Sequence, residues 1–404
     1  MKKMGKKQKC VLWGILTPIF AFLLAFLILC FVTMGMYSPE YLKRVLFHWD
    51  SSVSDYRIFP ERIIAKSGTP YNYEKEENAA LGETLVRYSD KEKSLNDFIE
   101  NTETTSFIIV KNDKIVYERY ANGYDENTIN TSFSMAKSVV SLLVGKAIEE
   151  GYIQSVKQPI SDYIEEFENE EIGKTTIEQL LLMRSDIVYD EDKFLWFGDD
   201  SLTYWHDDLR KLALEHTALN ESSEGKFHYN NYHSLLLGLI LERSTGMSVS
   251  EYFEREIWQK IGAEYDASWS LDSEEGFEKM ESGINFRAKD FIKISSMVLH
   301  GGYWNGEQII NSDWLNASTL CAFPIDEAEY EGTFLEGRNI GYRYMWYSTP
   351  SADSTGYDII AWGKSDQILY ISPACDLVIL RTGKTDGGVS DWAKVLKELT
   401  AVIS

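Results

Sequence analysis

The sequence predicts an α+β fold: an antiparallel sheet of N- and C-terminal strands flanked by helices, a mostly helical middle domain, and one N-terminal transmembrane helix. Three observations carry this. Short β-type runs occur early, at 107–110 and 114–120, and return late, at 358–362, 367–372 and 377–381. Helical periodicity fills most of the chain between them. Ahead of both, residues 11–36 contain no charged side chain.

The N-terminal elements come first. Residues 1–10 (MKKMGKKQKC) hold five lysines and no acid, and the uncharged run of 26 residues follows at once. About 20 apolar residues cross a bilayer as a helix, and Pro18 falls near the start, where it disrupts least. Lysines held on the cytoplasmic side give a single-pass orientation with the rest of the chain outside the cell membrane. The alternative is a cleaved signal peptide, but its apolar region runs about 7–15 residues and ends at a small-residue site. Here the run is longer and no such site follows. The expected organisation is a basic cytoplasmic tail (1–10), a membrane anchor (11–36), an extracytoplasmic tether (37–95) and a folded domain (96–404).

Composition bounds the rest. With 44% hydrophobic and 25% charged residues, 404 residues form a folded chain, not a disordered one. Eight prolines and 27 glycines exclude a collagen-like chain. A formal net charge of −23 argues against a nucleic-acid partner, which needs a basic surface. Of four cysteines, only Cys321 and Cys375 lie outside the anchor region, and the sequence leaves open whether they pair.

Within 96–404, residues 107–110 and 114–120 flank Asn112-Asp113 and read as a hairpin. Residues 134–150 place apolar side chains at 135, 136, 139, 140, 143, 144, 147 and 148, one broad helical face, and Gly151 stops the helix. Further helices are expected over 176–183, 209–216, 232–243 and 249–261. The run 358–362 is a strand, and 367–372 with 377–381 makes a second hairpin around Pro373 to Asp376. Ser390 caps a final helix over 391–402. The acidic, aromatic-rich stretch 189–208 reads either as a solvated loop or as a substrate-facing loop favouring positive groups.

Three segments could do chemistry. Ser134-Met-Ala-Lys137 opens an apolar helix. Residues three apart share a helix face, so the amine can reach the hydroxyl, and the helix N-terminus stabilises developing negative charge. About two Ser-x-x-Lys matches arise by chance in such a chain, and a second one, Ser223 to Lys226, contains Gly225 and opens no apolar helix. Tyr229-Asn230-Asn231 precedes the 232–243 helix, and a tyrosine there could relay a proton. Lys364-Ser365-Asp366 follows the 358–362 strand and could bind a substrate carboxylate or phosphate. No His, Cys and Asp cluster has metal-ligand spacing, so neither metal nor cofactor is expected.

Taken together, about residues 100–402 resemble the serine β-lactamase and penicillin-binding-protein superfamily. The similarity is to its class C-like branch, with esterases, D-amino-acid peptidases and 6-aminohexanoate-dimer hydrolases. It is carried by Thr131 to Ser138 (TSFSMAKS), Ile177 to Ser185 (IEQLLLMRS), Phe227 to Asn231 (FHYNN) with Leu236-Leu-Gly238, Ser282 to Asn285, Asp290, His300 to Gly306, and Ala361 to Gln367 (AWGKSDQ). The resemblance implies that Ser134 is the acylated nucleophile, Lys137 its base or proton partner, and Tyr229 the proton shuttle. It implies that Asn231 orients the lysine or the substrate, and that Lys364 and Ser365 contact the substrate. The oxyanion hole would be the backbone N–H groups of Ser134 and Gln367. The expected activity is hydrolysis of a small-molecule or cell-wall-derived ester or amide (a D-alanyl group, a peptide or a small ester) by a serine hydrolase. Two departures stand out. Asp366 and Asp186 occupy places where glycine is usual. A Cβ and a charge at Asp366 could block an extended substrate. The alternative function is therefore an inactive wall- or peptide-binding protein that retains the cleft.

Overall fold

The computed structural model describes residues 6–88, 91–220, 225–321 and 325–403. The start of the basic tail and Ser223 of the second Ser-x-x-Lys match lie outside the described residues. The chain divides into two compact units. One comprises the residues through Ser51 with Glu191–Asp207, and the other comprises Ser52–Asp190 with Asp208–Ser404.

The larger unit is organised by an eight-stranded sheet. Its order is Gly341–Arg343, Trp346–Pro350, Tyr357–Gly363, Gln367–Ser372, Leu377–Gly383, Thr104–Lys111, Lys114–Tyr120 and Glu74–Lys75. All neighbours run antiparallel except the last pair. The N- and C-terminal hairpins meet in the middle, where Ile109 lies opposite Ile379 and Phe107 opposite Arg381. Gln367–Ser372 and Leu377–Gly383 are buried at every residue, so both faces are covered. Helices Ala288–Leu299 and Trp392–Ile403 pack on these central strands.

The middle of this unit is helical. Helix Met135–Glu149 packs on helix Asn231–Thr245, which also receives Ile177–Leu181 and Leu209–Glu215. Thr176 caps Ile177–Leu181 in a reciprocal box with Gln179, and Gly246 ends Asn231–Thr245 in a left-handed cap. The helix expected over 249–261 begins at Val249 but widens into a π-turn at Glu254–Trp258. A second, four-stranded sheet joins Glu61–Ile64, Ala267–Ser270, Ile284–Phe286 and Asn130–Thr131 in that order. Its last strand leads directly into the Ser134 turn. Cys321 and Cys375 are both free thiols.

The stretch expected to be a tether, 37–95, contains several helices and strands among its described residues. Glu61–Ile64 pairs with Ala267–Ser270, Glu74–Lys75 extends the large sheet, and Leu85–Tyr88 with Lys91–Ser94 forms a hairpin. These strands are two to four residues long and rich in Glu, Lys and Arg. They lack the apolar alternation that marks a strand in sequence, and their partners supply the register.

In the smaller unit, helix Lys6–Met36 contains an apolar span, Trp13–Met36, whose large side chains are mostly exposed, with Thr33 buried near its end. Two residues later Ser38 caps helix Pro39–His48 through the Tyr41 N–H at 2.9 Å. The acidic stretch, expected to be a loop, is exposed at 190–195 and helical beyond. Leu195–Phe197 forms a 3₁₀ turn and Asp199–Trp205 a helix, which packs on Pro39–His48. The Tyr41 hydroxyl donates to the Trp196 carbonyl, and buried Arg44 donates to the carbonyls of Trp205 and His206 at 3.1 and 3.3 Å. Arg44 thereby satisfies the end of the Asp199–Trp205 helix.

Gly145 lies where helix Met135–Glu149 meets helix Ser312–Thr319. A Cβ there would fall 2.3 Å from the Trp314 ring of helix Ser312–Thr319. Alanine gains about 1 kcal/mol of helix propensity but forces overpacking that costs about 1–3 kcal/mol. Gly145→Ala should therefore lower the melting temperature by a few degrees, and Trp314→Leu in the same chain should recover part of the loss, both read by thermal denaturation.

Candidate active site

The Ser134 turn is set by its neighbours on both sides. Asn130 and Thr131 pair with Phe286 and Asn285, and the Ser132 N–H donates to the Ile284 carbonyl at 2.8 Å. The chain then reverses through Phe133 at φ +43°, a left-handed conformation costing about 1–3 kcal/mol for a bulky residue. Ser134 follows in helical geometry, with Met135 opening the helix. Strand Tyr357–Gly363 closes the other side. A Cβ at Gly363 would sit 2.5 Å from the Ser132 carbonyl and 2.9 Å from the Ser134 nitrogen, so only glycine lets the strand end touch this turn.

Lys137 lies beneath Ser134 and is only 1% exposed. Its Nζ donates to Ser134 Oγ at 3.0 Å and to the Glu281 carbonyl at 3.0 Å. It also sits over the Tyr229 ring, 4.9 Å from the centroid. Among the described residues, no carboxylate lies within 4 Å of the Lys137 amine. The Glu281 carbonyl belongs to a rigid turn in which Lys279 and Glu281 form a buried ion pair at 3.1 Å, and the Trp269 indole N–H reaches the carbonyls of Lys279 and Ser282. No sequence signal marks Glu281, because the contact is made by its backbone.

Tyr229 is half-buried, with its ring against Phe334 and Tyr342 at 5.6 and 6.2 Å. Asn231 opens helix Asn231–Thr245, and its Nδ2 donates to the Tyr189 hydroxyl at 2.8 Å. Tyr189 is buried, edge-on to Tyr232 and His228, and is a second residue that sequence reasoning missed. Two residues past Asn231, His233 is fully buried between Ser185 Oγ and Met183 Sδ. Burial, then the neighbouring charges of His228 and Lys137, pull its imidazole down to about 3.

The turn Lys364–Asp366 joins strands Tyr357–Gly363 and Gln367–Ser372 beside the Ser134 turn. Lys364 is exposed and Ser365 half-buried. Ser365 and Asp366 are both left-handed, at φ +58° and +53°. Buried Arg381 holds this conformation from below, donating to the Ser365 and Asp366 carbonyls at 2.5 and 2.9 Å while its guanidinium stacks on Trp392. The Gln367 side chain is spent on Gly383, donating to its carbonyl at 2.7 Å and accepting from its N–H at 3.2 Å.

The two departures from glycine have a common physical account. Asp366 and Asp186 (φ +61°) both occupy the left-handed region, where glycine costs least and Asp is among the better-tolerated substitutes. Each carboxylate also finds a nearby donor. Asp366 Oδ1 accepts from the Trp362 indole at 2.7 Å, and Asp186 Oδ1 accepts from the Gly225 N–H at 3.0 Å. Burial raises the Asp366 carboxyl and the Trp362 bond offsets part of that. The Asp366 carboxylate is turned back onto Trp362.

A serine hydroxyl held by a buried lysine at a helix start, inside this fold, defines a class of serine hydrolase. The Beta-lactamase family model matches residues 95–380, and the chain belongs to that family. It is similar to the 6-aminohexanoate-dimer hydrolase of Paenarthrobacter ureafaciens, with 26% identity over 318 residues covering 75% of this chain and 79% of the relative. Among solved structures, a candidate 6-aminohexanoate-dimer hydrolase from Bacillus anthracis shares the fold at TM-score 0.74 and 22% identity, covering 87% of this chain and 92% of that one. A class C beta-lactamase does so at TM-score 0.57 and 14% identity, covering 77% and 94%. The chain is thus a serine hydrolase of beta-lactamase-like fold.

His233 gives this site a pH signature. Its imidazole is depressed when folded and ordinary when unfolded, so the unfolded chain binds the extra proton between about pH 6.5 and 3. Its contribution is complete above pH 6.5 and is lost as the pH falls. Denaturant unfolding should show wild type losing stability faster than His233→Gln over that window, by up to about 1.4 kcal/mol per pH unit.

Proposed function

We propose that this protein is a membrane-anchored, extracytoplasmic serine hydrolase that cleaves a small ester or amide through an acyl-enzyme on Ser134. The observation that carries the reading is the 3.0 Å contact from Lys137 Nζ to Ser134 Oγ, in a buried setting with no carboxylate nearby among the described residues. Ser134 Oγ attacks the substrate carbonyl and its proton passes to Lys137. The oxyanion is met by backbone N–H groups of Ser134 and Gln367, where the Gly363 strand end abuts the Ser134 turn. Tyr229, against the Lys137 amine, returns the proton to the leaving alcohol or amine. Water then attacks the acyl carbonyl and frees Ser134. Asn231, set by Tyr189, and the Lys364-Ser365 turn line the substrate side.

The relative named for the 6-aminohexanoate dimer supports a small amide or ester, with D-alanyl groups, peptides and small esters as the panel to test. The anchor reading rests on the 24-residue span Trp13–Met36, preceded by lysines. Activity is favoured over a retained but inactive cleft. The two aspartates that suggest decay have backbone and hydrogen-bond reasons of their own.

Intact-mass spectrometry with fluorophosphonate, penicillin-type and ester probes should show one adduct on Ser134, absent in Ser134→Ala. Lys137→Ala should slow acylation by about 10²–10⁴-fold. A folded wild type that takes no adduct and turns over no ester would overturn the reading. In membranes, the full chain should resist alkaline extraction, as a spanning helix does.

A further inference from the structure

We propose that segment 191–207, together with helix Pro39–His48, forms a foot that inserts aromatic side chains into the interfacial layer of the bilayer. The proposal rests on the membrane-anchor reading of Trp13–Met36. The segment leaves the larger unit after Asp190 and rejoins it at Asp208, so the hydrolase chain itself would touch lipid.

The depth follows from one hydrogen bond. The Trp196 indole N–H donates to Thr33 Oγ1 at 3.0 Å, and both groups are buried. Thr33 lies in the last turn of the apolar span, about 5 Å along the axis from Met36 at 1.5 Å per residue. A 24-residue span is about 36 Å long, about 6 Å more than a hydrocarbon core. The last turn therefore falls in the headgroup boundary, and Trp196 is held at that level. Helix Pro39–His48 starts three residues past Met36 and is tied to the same segment through Tyr41 and Arg44.

The chemistry at that level is interfacial. Tyr37, Tyr41, Phe197 and His206 form one ring cluster, and His48 stacks on Trp205. Around it, large apolar side chains face outward: Phe47 is 79% exposed, Trp49 62%, Phe194 71% and Leu195 41%. Trp49 meets Trp196 edge-on, which brings it to the Phe194-Leu195 turn. Exposed aromatics beside the end of a membrane span match the belt that anchors proteins at bilayer surfaces. Asp199, Asp200 and Asp207 lie in the same segment, so attraction to anionic lipid does not drive the contact and uncharged phosphatidylcholine should suffice.

The test uses the full chain with its four cysteines changed to serine and one new cysteine, Phe194→Cys or Trp49→Cys, carrying an environment-sensitive fluorophore. The protein is reconstituted in phosphatidylcholine vesicles holding a nitroxide either near the headgroup or near the acyl-chain end. Both probes should be quenched about twofold or more by the shallow nitroxide and far less by the deep one. Probes unquenched by either nitroxide, in protein that still resists alkaline extraction, would overturn the foot and leave the anchor standing. Extraction by alkali would overturn the anchor and the foot with it. Unquenched probes that show energy transfer between labelled copies would assign the patch to a second copy of this chain and overturn the lipid contact.

Discussion

The Lys137 amine is the point on which the site's geometry depends. It is almost wholly withdrawn from water, and three separate parts of the chain meet it: the Ser134 hydroxyl, the Glu281 carbonyl and the Tyr229 ring. Burying a lysine is costly unless its protons are placed. The surrounding structure reads as the means of placing them. Helix Met135–Glu149 fixes the lysine one turn below the serine. The Lys279–Glu281 ion pair and the Trp269 indole fix the turn that offers the carbonyl. The start of helix Asn231–Thr245 fixes the segment that carries the tyrosine.

Around that amine, the backbone is strained where the sequence breaks its own local preferences. Phe133, Ser365, Asp366 and Asp186 all stand in left-handed conformations without being glycine. Each is held by neighbours rather than by intrinsic preference. Phe133 is clamped between strand Asn130–Thr131 and the helix start. Ser365 and Asp366 are clamped by Arg381, whose buried guanidinium spends its protons on backbone carbonyls. The aspartates add a carboxylate-to-donor bond that glycine could not make. A substitution at either aspartate is therefore a question of backbone conformation before it is one of charge.

Much of this was legible in the sequence. The helix at Met135–Glu149 and the two hairpins have strong periodicity, and the family resemblance rests on motifs that fall at the ends of those elements. Other features left no local signal. The strands in 61–94 are short and charged, so only their partners make them strands. The Glu281 carbonyl and the Gly363 approach are backbone contacts between segments far apart in the chain. The acidic stretch 189–208 has the composition of a loop, yet its tyrosines and tryptophans find each other and helix Pro39–His48. That outcome depends on tertiary contacts that no window of sequence contains.

The central seam of the large sheet has a consequence for how the molecule is made. Thr105 and Thr382 share a hydroxyl contact at 2.8 Å although 277 residues separate them. Strand Thr104–Lys111 is apolar and β-prone, and it gains its inner neighbour only once Leu377–Gly383 has been made. Until then a ribosome-borne chain exposes an open strand edge, the condition under which nascent proteins mispair or aggregate. The sheet cannot close at this seam before both of these distant strands are present. A truncation just ahead of Leu377 keeps Ser134, Lys137, Tyr229 and Gln367 but leaves that edge with nothing to zip against.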